Sequence, residues 1–385
     1  MNKKLWLTLL SAAVVGLSGC GKDNSDVKPN ENTNNNQNNN QNNNQNNDNG
    51  NNNNTPKVEE VPVFVMSGQS NMEGSTNWRL NGKNLLKEYM DEADLDYDVI
   101  ENGIDDVLCS NYGYYYPNGW TQAHSSSLDQ SSPEGKLKPN FRPTTVGMGV
   151  GDGGNDDYFG PELGMAYKLY QEVSIKTPIH LIKCAFSGSG FEKIDGANWK
   201  TREDPSLTDA QNASKSLYYL LKRYTNNCLK VIEDEGKKPV IKGFVWHQGE
   251  SDCGNANYQT QMETLINDFR TDYANYATDG DGKNIAFLDC TIYDGPKETY
   301  DSQSHMNSGI NAKKNAIAAK GQLDPSDENY EKNYIVDGTF TDHGLKLEIG
   351  DAAKGGYGTY HYNTKDAFIL GEAYADIILN NNLLD

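Results

Sequence analysis

"VPVFVMSGQSNMEG", residues 61–74, passes from an apolar run to a polar turn within a few positions. Val61, Val63, Phe64, Val65 and Met66 show no polar alternation. That is the pattern of a strand covered on both faces, as in a parallel sheet. The run stops at Ser67-Gly-Gln-Ser-Asn71, where Gly68 admits a sharp turn. Ser70 then has two readings. As an N-cap, its hydroxyl satisfies an orphan backbone N–H of the next helix. As a nucleophile, it stands exposed at the edge of the sheet beside a helix start. Taken alone, the cap is the simpler reading. The Gly-x-Ser-x-Gly elbow of α/β-hydrolases is absent, because Met72 occupies the place of its second glycine.

Similar β-branched runs recur at 178–185, 239–246 and 285–292. Helical spacing of apolar residues marks 161–174, 209–235, 256–277 and 365–381. Strands alternating with helices imply βαβ units, a mostly parallel sheet and an α/β fold, with ligands at the C-terminal ends of the strands. Residues 75–158 form a long insertion with little periodicity. Its stretch Asn111-Tyr-Gly-Tyr-Tyr-Tyr-Pro-Asn-Gly-Trp120 reads equally as a sugar-stacking loop or as tyrosines packing the insertion.

Upstream, Lys3 and Lys4 precede a short apolar stretch, Leu5 to Val15, that ends in Leu17-Ser-Gly-Cys20. This resembles a bacterial lipobox, which implies a signal peptide over 1–19 and lipidation of Cys20. Residues 20–58 are dominated by asparagine and cannot bury enough apolar area to offset the entropy of ordering. They read as a flexible tether with a reach of roughly 35 Å. The expectation is an exported lipoprotein held by a lipid anchor on the periplasmic or cell-surface face of the outer membrane, with one folded domain over 59–385. The formal net charge of −20 disfavours nucleic acid. Five further cysteines, an odd number without CxxC spacing, leave at least one thiol free. Asp152-Gly-Gly-Asn-Asp-Asp157 and Asp279-Gly-Asp-Gly282 read as turns. Counted from Asp152, the twelfth position is Leu163, not the glutamate a calcium loop needs. No metal or organic cofactor and no protein partner is expected.

A nucleophilic hydroxyl requires a base and a partner that orients the base. Phe244-Val-Trp-His-Gln-Gly-Glu-Ser-Asp252 ends a strand at the same sheet edge as Ser70. If that backbone stays extended, Gln248 and Glu250 share one face and His247 takes the other. His361, in a loop before the last helix, is a candidate base that can reach over the edge.

Taken together, these segments resemble the SGNH-type esterases, and more narrowly the sialate O-acetylesterase-like group that includes the acetylxylan esterases of carbohydrate esterase family six. Gly68-Gln-Ser-Asn-Met72 resembles that group's nucleophile block. Phe159-Gly-Pro-Glu-Leu-Gly164, Phe186-Ser-Gly-Ser-Gly190 and Trp246-His-Gln-Gly-Glu250 follow in the family's order. Gly344-Leu-Lys-Leu347, His361-Tyr-Asn-Thr364 and Leu370-Gly-Glu-Ala-Tyr374 complete it. The resemblance implies a three-layer sandwich with a flavodoxin-like sheet and a serine esterase that removes O-acetyl groups from glycans. It implies Ser70 as nucleophile, His361 as base and Glu250 as acid. Oxyanion and substrate contacts then fall to Gly188, Gln248, Gln69 and Asn71. Two departures stand out. Gly358 occupies the position where many SGNH enzymes have the acid, three residues before the histidine, and Gln248 replaces their usual asparagine. Asp337, Asp342 and Asp351 are fallback acids, and His343 is a fallback base. A non-catalytic glycan-binding lipoprotein and a lipase-like enzyme are the competing readings.

Overall fold

The computed structural model describes residues 58–112, 137–149, 157–192, 198–294, 308–321, 326, 351–356 and 361–385. All lie in the unit Pro56–Asp385. Cys20, the signal and nearly all of the tether fall outside them. So do most of the aromatic stretch 111–120, residues 152–156 and 344–347, Gly358, Asp337, Asp342 and His343.

Six strands form the central sheet: β1 (Glu60–Gly68), β2 (Ile104–Asn111), β3 (Arg142–Thr144), β4 (Ile179–Lys183), β5 (Lys238–His247) and β6 (Ala286–Asp289). Their order is β6-β5-β1-β4-β2-β3, with every pairing parallel except β2 with β3. β2 and β3 come from the long insertion and extend one edge. Without them the sheet runs β4-β1-β5-β6, the flavodoxin-type arrangement in which the first strand lies between the second and third. The two insertion strands escape a periodicity reading because adjacent Asp105 and Asp106 interrupt β2, and β3 is only three residues long.

The helices used below are α1 (Ser70–Glu73), α2 (Pro161–Glu172), α3 (Leu217–Asp234), α4 (Tyr258–Asp272), α5 (Ser308–Gly321) and α6 (Thr364–Asn380). The pattern expected over 209–235 divides into two helices, since Ser216 caps α3 by accepting from the Tyr219 N–H. β1 has a core on each face. Phe64 and Met66 pack with Leu163 of α2 and Phe368 of α6. Val61, Val63 and Val65 pack with Tyr224 of α3 and Phe269 of α4. Burial on both sides is why the run at 61–66 carries no polar alternation. α2 and α6 cross with Gly164 and Gly371 between them. A Cβ on Gly164 would lie 1.9 Å from the Phe368 carbonyl oxygen, and one on Gly371 would lie 2.1 Å from that of Pro161. The glycines of two family blocks are therefore packing residues. Asp279–Gly282 folds as consecutive turns, with Asp281 accepting from the Lys283 N–H. All five described cysteines are free thiols.

Candidate active site

Parallel pairing brings the strand ends to one edge: Gly68 stands beside His247 and Met66 beside Lys183. Gly68 has φ +146°, and a Cβ there would lie 2.0 Å from the His247 carbonyl oxygen, so only glycine fits. The turn that follows starts α1. Gln69, not Ser70, is its N-cap, and no side chain caps it. Ser70 is the first helical residue. Its backbone N–H has no intrahelical acceptor, and its hydroxyl makes no hydrogen bond among the described residues. The N-cap reading of the Ser70 hydroxyl is thereby replaced. Gly188 sits in an exposed turn beyond β4 with φ +66°. The preceding residue, Ser187, donates to Glu73 at the end of α1, tying that turn to the serine's own.

β5 ends at His247, and the backbone does not stay extended. Gly249, with φ +149°, turns it into a short 3₁₀ segment, Glu250–Asp252. His247 lies fully buried between two hydroxyls, with Nδ1 3.2 Å from Tyr374 Oη and Nε2 3.1 Å from Tyr362 Oη. Burial, with the Lys314 charge nearby, holds its pKa well below the ordinary histidine value. Both its ring nitrogens are engaged by tyrosine hydroxyls.

Gln248 also departs from expectation. Its amide nitrogen donates to Asp252 at 2.7 Å and to the Ser189 carbonyl at 3.3 Å. Both amide hydrogens are occupied, so the expected oxyanion donor instead braces the turn. Asp252, absent from the sequence-level candidates, gathers that brace. It accepts from the N–H groups of Phe191 and Glu192 and from Asn255 as well as Gln248. The signal available was its four-residue spacing from Gln248 across a glycine, which fits a tight turn and not a strand.

Glu250 has a different environment. Its Oε1 accepts from Asn71 Nδ2 at 2.8 Å, while its buried Oε2 has no hydrogen-bond partner among the described residues. Burial pushes its pKa up, against the opposing hydrogen bonds and the Lys314 charge. Asn71 in turn accepts from the Tyr362 N–H at 3.3 Å, which brings the backbone next to His361 onto the residue after Ser70. Thr76 donates to the Tyr362 carbonyl at 2.9 Å and fixes that segment from the other side. Gln69, expected at the substrate, accepts instead from the Ser251 N–H at 3.3 Å. Ser70, Glu250 and the His361 segment are thus drawn to one edge of the sheet. The fallback acid Asp351 is engaged in its own turn, accepting from the Ala353 N–H.

Two buried ion pairs support this edge. Lys183 pairs with Glu162 at 2.8 Å and donates to the carbonyls of Glu73 and Met148. Glu162 thus does more than meet the dipole of α2: it neutralises a buried charge beneath α1. Lys314 of α5 pairs with Asp289 at the end of β6 at 2.6 Å. Among the described residues no group of histidine, cysteine and carboxylate side chains is arranged to hold a metal ion.

Residues 60–328 match a family described as carbohydrate esterase, sialic acid-specific acetylesterase. No curated protein matches the chain. Solved structures similar to it include NanS, at 15% identity and TM-score 0.47, covering 84% of this chain and 98% of that one. A protein of Arabidopsis thaliana is similar at 17% identity and TM-score 0.48, covering 83% and 98%. A carbohydrate acetylesterase from Xanthomonas citri is similar at 14% identity and TM-score 0.42, covering 82% of this chain and 55% of that one.

Proposed function

The chain belongs to the carbohydrate esterase family of sialic acid-specific acetylesterases, a carbohydrate acetylesterase family, and from that premise we propose that Ser70, His361 and Glu250 form its catalytic triad. Ser70 Oγ attacks the acetyl carbonyl while His361 takes its proton. The tetrahedral intermediate collapses, His361 returns the proton to the departing sugar oxygen, and acetyl-Ser70 remains. Water, deprotonated by His361, attacks that ester and releases acetate. Glu250 Oε2 accepts the other imidazole N–H and stabilises the imidazolium. The N–H groups of Ser70 and Gly188 meet the oxyanion; loss of one such donor lowers the rate roughly 10²–10³-fold.

One observation carries the reading. The Glu250 carboxylate is clamped by one oxygen to Asn71, which also ties in the His361–Tyr362 segment, and its other, buried oxygen has no hydrogen-bond partner among the described residues. A buried carboxylate in that state calls for one more donor.

For the substrate, the net charge of −20 favours a neutral acetylated glycan such as acetylated xylan over an anionic sugar. The family description supports a second reading, O-acetylated sialic acid. Acetate release from both substrates, by wild type and Ser70→Ala, tests the proposal. Release unchanged in the variant removes Ser70 as nucleophile, and the ratio between substrates decides the glycan. We also propose that Cys20 carries the lipid that anchors the enzyme, on the strength of Leu17-Ser-Gly-Cys20. Palmitate labelling that persists in Cys20→Ala would refute it.

A further inference from the structure

We infer that Asn71 is a positioning residue that holds the acid and the histidine segment in register with the nucleophile. The inference rests on the reading of Glu250 as the acid. Asn71 is buried and immediately follows Ser70. Its Nδ2 donates to Glu250 Oε1 at 2.8 Å, across 179 residues of sequence. Its Oδ1 accepts from the Tyr362 N–H at 3.3 Å, across 291 residues. The two partners fix the orientation of the amide. A carboxylate only accepts and a backbone N–H only donates, so a flipped amide would lose both bonds. One of the two Nδ2 hydrogens is thereby committed to the acid.

The consequence for catalysis is geometric. The bond to Oε1 immobilises the Glu250 carboxylate and leaves Oε2 as the acceptor for an imidazole N–H. The bond from Tyr362 sets where the neighbouring His361 backbone sits relative to Ser70. One amide therefore spans the three segments that carry the triad. Gln69, on the other side of Ser70, braces the same loop by accepting from the Ser251 N–H.

A double-mutant cycle between Asn71→Ala and Glu250→Gln tests the inference, read as kcat and KM for acetate release. Alone, Asn71→Ala is expected to lower kcat on the order of 10²-fold with KM nearly unchanged, the scale of a misplaced catalytic group. In the Glu250→Gln background the same substitution is expected to lower kcat by only about tenfold, since one of the two groups it positions is already gone and only its hold on the His361 segment remains to be lost. An oxyanion donor would instead lose the same factor in both backgrounds, and a substrate contact would raise KM; either result overturns the inference while the triad stands. Wild-type kcat in Glu250→Gln removes both Glu250 as acid and the inference with it.

A second measurement does not depend on activity. Asn71→Asp keeps the acceptor for Tyr362 but sets two carboxylates face to face. It is expected to lower the unfolding temperature, and adding Glu250→Gln is expected to restore it, because the glutamine amide then donates to the introduced carboxylate. Acetate release should stay low in that pair. Unfolding temperatures that are simply additive would show that the contact is not made and would overturn the inference.

Discussion

Glu250 and Asp252 share one 3₁₀ turn, yet they do opposite work. Asp252, 2% exposed, is ringed by donors from three segments: Phe191 and Glu192 beyond β4, Gln248 at the end of β5, and Asn255. Both its oxygens accept hydrogen bonds, and it joins two loops. Glu250 has a single side-chain donor, Asn71, and a buried oxygen without a partner among the described residues. A complete shell marks a carboxylate that holds structure together, whereas an incomplete shell at a strand edge marks one still able to act on another group.

The largest effect expected from this contrast is on activity. Glu250→Gln should lower kcat by about 10⁴-fold, as loss of a triad acid does elsewhere, while its unfolding midpoint in urea stays level or rises. Asp252→Ala should do the reverse. It strands several buried donors and should reduce stability by about 3 kcal/mol, yet kcat of the folded enzyme should remain within about tenfold of wild type. If the two variants exchange these behaviours, the acid is Asp252.

A pH series sharpens the contrast. Burial raises the folded-state pKa of Glu250 above its ordinary 4.5. The folded chain therefore binds this proton more tightly than the unfolded chain. The stability it confers is complete below the ordinary pKa and is lost as pH rises through the raised one. Urea midpoints of wild type should fall across that window more steeply than those of Glu250→Gln; parallel curves would show that Glu250 is not desolvated. The smallest effect is expected at the other histidine. His247→Gln should lower kcat less than about tenfold and stability by about 1–2 kcal/mol, the scale of its tyrosine hydrogen bonds. His361→Gln should lose activity about as fully as Ser70→Ala, and the opposite ranking would move the base to His247.

The sheet's centre was legible because β1, β4, β5 and β6 are largely buried on both faces and so read as mainly apolar, β-branched runs, interrupted only at residues such as His180, Lys183 and Lys242. The edge was not. In β2, alternation is broken by Asp105 and Asp106, and its burial comes from neighbours far away in sequence. α5 hides for a related reason: its fully buried Lys314 is tolerable only because Asp289 lies opposite, which no local pattern reveals. At the site, residue types and their order pointed to Ser70, Glu250 and His361. The orientation of each amide did not follow. Gln248, Gln69 and Asn71 all looked like groups aimed at a ligand, yet all three bind protein. Their partners depend on the turn at Gly249, where an extended reading of the motif fails.

The contact of Gly68 with the carbonyl of His247 extends beyond the choice of residue. Main chain rests directly on main chain there, and again where α2 crosses α6 at Gly164 and Gly371. A side chain under stress can change rotamer and leave its surroundings in place, but abutting peptide units have no such softer mode. The nucleophile turn therefore keeps its shape for as long as β1 and β5 stay zipped. On heating, catalysis and structure should vanish in one transition, and the working ceiling of the enzyme is set by its sheet.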